Sequence, residues 1–205
     1  LDVRTGRRVW SFQTVHHGLW DYDNPAAPNL LDVTIGGRRV KAVAQVTKQG
    51  FVYTFDRVTG EPVWPIVERA VPASDVPGER ASATQPFPTR PAPFEYQGVG
   101  LDDLADFTPA IREQAIAAIK NFRTGPLFTP PSLAGTIVRP GSEGGANWSG
   151  AAVDPETGDI TAMVTDIRPN GICFSPDETK LYVSNFSTNP RDIKVYDVVK
   201  RGSGK

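Results

Sequence analysis

The clearest hydrophobic pattern of the chain runs through residues 30–55, LLDVTIGGRRVKAVAQVTKQGFVYTF. Apolar, often β-branched residues alternate there with polar ones, as they do in strands that bury one face. The pair Gly36-Gly37 interrupts the alternation and suits a two-residue hairpin turn, because glycine reaches positive φ without steric cost. The stretch therefore predicts antiparallel strands.

A short motif recurs along the chain and indicates repeated hairpins. LDVRTGRRVW at 1–10 returns as TFDRVTGEPVW at 54–64, and AAVDPETGDI at 151–160 is a weaker copy without the tryptophan. Aspartate followed by Thr-Gly is typical of a tight turn, since the carboxylate bonds the backbone two residues on. We expect a strand, a turn and a strand from each copy. The spacing of the first two copies suits propeller blades, which are about 40–50 residues long.

The region from residue 65 to about residue 145 breaks this pattern. It is so rich in proline that it favours neither strands nor helices over most of its length. One helix is predicted over residues 108–122, where Thr108 suits the N-cap, Pro109 suits the first turn and the apolar positions share one face. We expect Gly125-Pro126 to stop this helix and its apolar stripe to pack against the sheets.

Composition and charge restrict the classes of function. The 205 residues suffice for one domain with a sizeable core. Lys and Arg total 22 against 23 Asp and Glu, so neither a nucleic acid nor a membrane surface is indicated as a partner. A single cysteine, Cys173, excludes an internal disulfide. No run suits a membrane helix or a signal peptide, and both ends of the chain are expected to be cuts through a longer protein.

Candidate chemistry concentrates in VHHGLWDYDNPAAPNL at residues 15–30. His16 and His17 are adjacent and have no Cys or third His nearby, so loop packing or substrate contact is favoured over zinc binding. Trp20 and Tyr22 suit a hydrophobic plug for the loop. Asp21 stands between them, and partial removal of a carboxylate from water would raise its proton affinity and make it a usable base. A packed aromatic loop and a general base both remain open at this point.

Two further patterns bear on cofactors. No Gly-x-Gly-x-x-Gly motif follows a strand and opens a helix, so a nicotinamide or flavin site of the Rossmann type is not indicated. Lys48, in VTKQG, lies at the end of a predicted strand. Taken alone, this lysine is compatible with a solvated charge.

Five long motifs occur in one order along residues 1–158: HHGLWDYDNPAAPNL, AVAQVTKQGFVYTFDRVTGEPVW, TQPFPTRPAPF, LFTPPSLAGTIVRPG and GGANWSGAAVDPETG. Together they resemble the pyrroloquinoline-quinone (PQQ) dependent dehydrogenases, especially the membrane-bound glucose and quinate dehydrogenases. The resemblance implies an all-β fold, part of an eight-bladed propeller, with PQQ on the propeller axis and a calcium ion beside it. It also implies that the repeats are the tryptophan-docking motifs of that family.

The same resemblance implies roles for individual residues. Asp21 falls at the catalytic base, and Lys48 at the basic residue that bonds the quinone oxygens. Asn147 and Trp148 fall where the family lines its cofactor pocket. His16 and His17 are expected to affect substrate affinity at most. Many relatives carry an acidic residue where this chain has Gly18, a difference that bears on substrate preference.

The tail, residues 159–205, resembles a different family. RPNGICFSPDETKLYVSN at 168–185 is similar to the SMP-30/gluconolactonase group of six-bladed propellers, and implies that Asn170 is a metal ligand. Taken alone, Asn170 followed by glycine is also a common turn pair. We expect a partial dehydrogenase propeller over 1–158, a break in structural continuity between Gly158 and Thr165, and then a hairpin that does not complete the blade.

The sequence therefore leaves one preferred function and two alternatives. The first is part of a PQQ-dependent dehydrogenase that oxidises an aldose sugar or alcohol and passes electrons to ubiquinone or another acceptor. The family implies a periplasmic location for it, with membrane attachment only through regions outside this chain. The second is a calcium-dependent lactone hydrolase represented by the tail. The third is an inactive propeller fragment, because other blades would carry the calcium-binding glutamate and the tryptophan floor of the quinone pocket.

Overall fold

The structure is a computed structural model that describes residues 1–148, 150–153, 160–161, 169–177, 179–185 and 192–197. It consists mostly of β-strands with one α-helix, as predicted. The strands are β1 (Asn29–Ile35), β2 (Arg38–Val46), β3 (Val52–Asp56), β4 (Ile66–Ala70), β5 (Thr84–Pro88), β6 (Ala152–Val153), β7 (Ile160–Thr161), β8 (Pro169–Phe174), β9 (Lys180–Asn185) and β10 (Asp192–Asp197). The helix α1 covers Pro109–Ile119, and a 3₁₀ turn covers Leu101–Asp103.

The central sheet has the order β1-β2-β3, and all its pairs are antiparallel. Its first hairpin turns at Gly36 and Gly37, whose φ angles are +57° and +77°. Two consecutive positive φ angles match the twist of a two-residue hairpin and favour glycine at both positions. The predicted strands and turn are confirmed.

The core lies on both faces of this sheet, because successive side chains of a strand point to opposite sides. In β2, Val43 belongs to an aromatic cluster on one face, whereas Ala42 and Ala44 belong to an aliphatic cluster on the other. The aromatic cluster contains Trp20, Tyr22, Val43, Phe51, Tyr53, Phe55, Leu127 and Phe128. Segments from distant parts of the chain therefore converge on the sheet.

The turns of the first two repeat copies form as the sequence predicts. The Oδ1 of Asp2 accepts backbone N–H bonds from residues 4 and 5, at 2.9 and 3.0 Å. The Oδ1 of Asp56 accepts equivalent bonds from residues 58 and 59, at 2.9 and 3.2 Å. The ring of Trp10 covers the second turn: a Cβ added to Gly60 would lie 2.6 Å from this ring, and Trp10 Nε1 donates to Arg57 O at 3.2 Å. The two copies are thereby docked to each other.

The expected strands beside these turns are only partly present. Residues 1–10 form a turn without assigned strands, so the expectation of two strands was wrong for the first copy. The second copy has β3 before its turn and a single bridge, Phe55 to Pro62, after it. The third copy has β6 paired with β7, and its turn at 154–159 lies outside the described residues.

The proline-rich region contains a hairpin that the sequence did not indicate. Strands β4 and β5 pair antiparallel over their whole length, although β5 contains Pro86 and Pro88. Proline is tolerated in strands whose N–H groups need not bond a second neighbour. In this sheet β5 pairs with β4 alone, so the expectation that the proline-rich stretch does not favour strands was wrong for these residues.

Helix α1 begins where predicted and ends early. Thr108 Oγ1 accepts a hydrogen bond from the N–H of Ile111 at 3.2 Å, and Pro109 occupies the first turn. None of the helix residues is buried, so the expectation that its stripe packs against the sheets was wrong. Both faces of the central sheet are already covered by other segments, which leaves the helix at the surface. No helix in the described part of the chain is long and apolar enough to cross a membrane.

The tail forms a three-stranded antiparallel sheet in the order β10-β9-β8, which has one strand more than the expected hairpin. Asn170 lies within β8, where the register shifts between Pro169 and Gly171, so its alternative assignment to a turn was wrong. The Asn170 side chain lies outside the described part of the structure. The predicted break between Gly158 and Thr165 falls on residues that are also outside it, except for β7.

Candidate functional site

Two buried aromatic residues anchor the loop that carries most of the candidate chemistry. Trp20 Nε1 donates to Thr129 O at 2.8 Å, and the hydroxyl of Tyr22 donates to Pro140 O at 2.6 Å. Phe128 packs edge-on against both rings, with centroids 5.1 and 6.0 Å away. Burial raises the pKa of Tyr22 to about 12, so its hydroxyl keeps the proton that it donates. The predicted hydrophobic plug is confirmed.

Asp21 lies between these anchors but points outward. Its φ is +59°, in the left-handed region that residues other than glycine rarely adopt. Its side chain is 72% exposed, while both neighbouring side chains are buried. The expectation that Trp20 and Tyr22 remove this carboxylate from water was therefore wrong in the described structure. A strained residue held by well-packed neighbours is common at functional sites.

Lys48 is the buried cation beneath Asp21. Its side chain is only 7% exposed, so the alternative of a solvated charge was wrong. Its Nζ donates to Asp21 O at 2.8 Å, to Asp23 Oδ1 at 2.6 Å and to Asp21 Oδ2 at 3.4 Å. The three protons of an ammonium group can supply three such bonds. The structure thus brings Asp21 and Lys48 together, as two residues of one cluster.

Asp23 is the member of this cluster that the sequence reasoning missed. The hydrogen bond from Lys48 holds the pKa of the Asp23 carboxyl below its ordinary value of 3.8. The motif DYD was an available signal, because it places a second carboxylate only two residues from Asp21. A lysine that meets Asp21 therefore also comes within reach of Asp23.

A glycine-rich loop packs on the turn that presents Lys48. The N–H of Gly145 donates to Lys48 O at 2.8 Å, and Gly144 has a φ of +74°. A Cβ added to Gly144 would lie 2.3 Å from Lys48 Cβ. The close approach of the two segments requires glycine at 144.

A cleft of about 440 Å³ opens beside Asp21. Gly18 forms part of its wall, and a Cβ added there would meet only Val15 Cγ1, at 3.8 Å. The wall at this point thus has room for a side chain. The lining residues are Phe12, Gln13, Thr14, Val15, Gly18, Asp21, Tyr22, Asp23 and Asn24.

The two histidines have different surroundings. His16 Nε2 lies 2.9 Å from Glu68 Oε1, and the pKa of Glu68 is lowered chiefly by this hydrogen bond. The buried Gln85 side chain bonds the His16 backbone twice, accepting from its N–H at 2.8 Å and donating to its carbonyl at 2.7 Å. His17 is exposed and has a φ of +46°.

The part of the chain that the structure describes contains no group of three or more His, Cys, Asp or Glu placed to hold a metal ion.

Asn147 and Trp148 lie just after Gly144 and Gly145 in the sequence, but their hydrogen bond is to each other. Asn147 Oδ1 accepts from the N–H of Trp148 at 2.9 Å, and the Trp148 side chain is exposed. Within the described residues, no hydrogen bond or ring contact joins either side chain to Asp21 or Lys48. The described part of this loop approaches the cluster through Gly144 and Gly145, which contact Lys48.

A model of the β-propeller domain of PQQ glucose/ethanol/alcohol dehydrogenases matches residues 1–189. The chain belongs to this family. The match covers the aspartate and lysine of the cluster, the glycine-rich loop and most of the tail.

The curated relatives are quinoprotein dehydrogenases. Quinate/shikimate dehydrogenase (quinone) of Acinetobacter baylyi is 33% identical over 95% of this chain and 23% of its own length. Quinoprotein glucose dehydrogenases of Escherichia coli and Gluconobacter oxydans are 38% and 40% identical over 76% of this chain and 19% of their own lengths. The chain thus spans about a fifth of the length of these relatives. A solved quinohaemoprotein alcohol dehydrogenase from Pseudomonas putida is 19% identical, with a TM-score of 0.38, over 90% of this chain and 19% of that one.

Proposed function

We propose that this chain forms the acid–base part of the active site of a PQQ-dependent dehydrogenase that oxidises an aldose sugar or alcohol and passes the electrons to a quinone acceptor. The observation that carries the proposal is the contact of the buried Lys48 ammonium with Asp21, whose carboxylate lines an open cleft. Membership of the PQQ family and the names of the relatives support the reaction class.

In this proposal Asp21 is the general base. Its exposed carboxylate can accept the hydroxyl proton of a substrate that enters the cleft, as the O–H bond breaks. Trp20 and Tyr22 fix the backbone on both sides of it, so that the carboxylate is presented in one position. His16 and His17 flank the loop and affect substrate affinity at most.

The residues of the cluster fit PQQ. When bound, PQQ accepts two electrons from the carbon that is oxidised. Lys48 would face a quinone oxygen, and its longest contact, 3.4 Å to Asp21 Oδ2, is the one most easily exchanged for such an acceptor. A buried ammonium favours added electron density nearby. Asn147 and Trp148 would line the same pocket.

Calcium is not assigned a step in this proposal. The two carboxylates of the cluster, Asp21 and Asp23, are both bonded to Lys48, and the described residues supply no third His, Cys, Asp or Glu beside them to complete a metal site. A calcium ion would need further ligands from outside this cluster. A periplasmic location and membrane attachment through regions outside this chain belong to the same proposal.

We infer from RPNGICFSPDETKLYVSN that residues 159–205 are related to the SMP-30/gluconolactonase group, with Asn170 at its metal-binding asparagine. Lactone hydrolysis by this tail, or a propeller piece without activity, are the alternatives to dehydrogenase function. Both predict no PQQ-dependent turnover.

The test uses the complete gene product, reconstituted with PQQ and calcium. We expect Asp21→Asn to lower turnover about 10²–10⁴-fold, the usual effect of losing a general base, while PQQ binding is largely kept. Lys48→Ala should instead weaken PQQ binding. Dye reduction with glucose and simple alcohols measures turnover, and a PQQ titration measures affinity. Normal turnover of Asp21→Asn would show that the base assignment is wrong.

A matched control is available on the protein surface. Asp75 is 65% exposed and forms an ion pair with Arg123, so Asp75→Asn removes the same charge from a comparable pair that does not line the cleft. We expect this variant to keep both turnover and PQQ affinity.

A further inference from the structure

We propose that Asp23 is a positioning residue, which carries the charge of Lys48 and thereby leaves the Asp21 carboxylate free to accept a proton. This inference rests on the proposed function. It concerns a residue that neither the sequence motifs nor the family roles brought forward.

The contact distances carry the argument. Lys48 Nζ lies 2.6 Å from Asp23 Oδ1 but 3.4 Å from Asp21 Oδ2. The shorter distance is that of a charge-assisted hydrogen bond, whereas the longer one is a weak contact. Asp23 is therefore the principal counter-ion of Lys48. The firm bond between Lys48 and Asp21 goes to the backbone carbonyl, at 2.8 Å, and does not occupy the carboxylate.

Burial explains why Lys48 needs such a partner. A buried ammonium without an opposite charge is costly, and Lys48 is 7% exposed. In the absence of the Asp23 charge, the nearest anion in the described residues is the Asp21 carboxylate. Lys48 would then bond that carboxylate directly and reduce its ability to take up a proton.

The anchoring of Tyr22 fixes the positions of the two aspartates relative to Lys48. Tyr22 lies between the two aspartates and is tied to Pro140 O at 2.6 Å. The two carboxylates therefore approach Lys48 from one short, immobilised segment. A shift of the Lys48 ammonium towards one of the two carboxylates therefore weakens its contact with the other.

The test compares four variants of the complete gene product: Asp23→Asn, Asp23→Glu, Lys48→Met and the double variant Asp23→Asn/Lys48→Met. We expect Asp23→Asn to lower kcat about 10–100-fold, as a misplaced base does, with little change of KM. The same variant should bind PQQ about 2–5-fold more tightly, because PQQ is a tricarboxylate and the substitution removes one negative charge beside its site. Asp23→Glu should restore most of kcat.

The double variant separates positioning from a structural role. If Asp23 acts through Lys48, Asp23→Asn has no further effect on kcat once Lys48 is methionine. Additive losses in the double variant would overturn the inference, as would a normal kcat for Asp23→Asn. Weaker PQQ binding together with a lower melting temperature would also overturn it, because that pattern indicates only a structural role.

Failure of the proposed function has a different signature. In that case the unmodified protein shows no PQQ-dependent turnover, or neither Asp21→Asn nor Lys48→Ala changes turnover or PQQ affinity, and this inference falls with the proposal. If Asp23→Asn has a normal kcat while Asp21→Asn has a lowered one, the inference about Asp23 is overturned and the proposed function is not. The Asp75→Asn control should match the unmodified protein in every measurement.

Discussion

A Cβ atom on Gly144 would lie 2.3 Å from the Cβ and 2.4 Å from the Cα of Lys48. The loop at 144 and the turn at 48 are separated by almost a hundred residues, yet their backbones are in direct contact. The position of the cluster lysine therefore depends on a glycine that carries no functional group.

We accordingly predict that Gly144→Ala is strongly destabilising. The added methyl group would clash with Lys48, and alanine is disfavoured at a φ of +74°. Together, overpacking and backbone strain should lower the free energy of unfolding by about 2–4 kcal/mol. Urea denaturation measures the change. Gly141→Ala, in the same loop, is the control, since a Cβ there meets nothing within 4 Å.

A second prediction concerns the plug. Trp20→Phe keeps an aromatic ring but leaves Thr129 O without its donor in a buried site, where an unsatisfied group costs about 1–3 kcal/mol. Trp148→Phe makes the same change at a ring that is 62% exposed, and should cost well under 1 kcal/mol. Equal losses of stability in the two variants, measured by thermal unfolding, would contradict the anchoring role of Trp20.

The sequence predicts the parts of this fold that local chemistry determines. The Gly36-Gly37 turn, the Asp-to-backbone turns at Asp2 and Asp56, and the Thr108 cap each depend on residues within a few positions. The strand pair β4-β5 was missed, because proline is disfavoured in strands in general but is tolerated in an edge strand, where its missing N–H is not needed by a second neighbour.

The candidate site was predictable in its members but not in its arrangement. Asp21 and Lys48 could be identified from motifs, but the exposure expected for each was the reverse of the observed one. The Asp21 carboxylate is exposed and Lys48 is buried. Asp21 has a φ of +59°, a conformation that aspartate adopts more often than most residues but that the motif LWDYD does not specify. Long-range contacts, such as Gly145 to Lys48 O, have no local signal either.

A third prediction concerns the two hydrogen bonds between the Gln85 side chain and the backbone of His16. Gln85 is fully buried and bonds both the N–H and the carbonyl of His16. Gln85→Leu would leave these two backbone groups unsatisfied and should lower the free energy of unfolding by about 2–4 kcal/mol. Amide hydrogen exchange at His16 should accelerate more than in the core strands. Gln114→Leu, on the exposed face of helix α1, should change neither quantity appreciably.

The last prediction concerns pH and the pair His16–Glu68. The pKa of Glu68 is lowered from its ordinary value of 4.5, chiefly by the hydrogen bond with His16. A carboxyl with a lowered pKa in the folded state stabilises the fold above its unfolded pKa, and this contribution disappears as the pH falls through the lowered value. The melting temperature of the unmodified protein should therefore exceed that of Glu68→Gln at pH 5–6. The difference should shrink steadily as the pH is lowered below 4.5. Glu113→Gln, which removes the same charge from the surface of helix α1, should show no such trend. A Glu68→Gln difference that stays constant down to about pH 2 would show that the pair does not stabilise the fold through its charge.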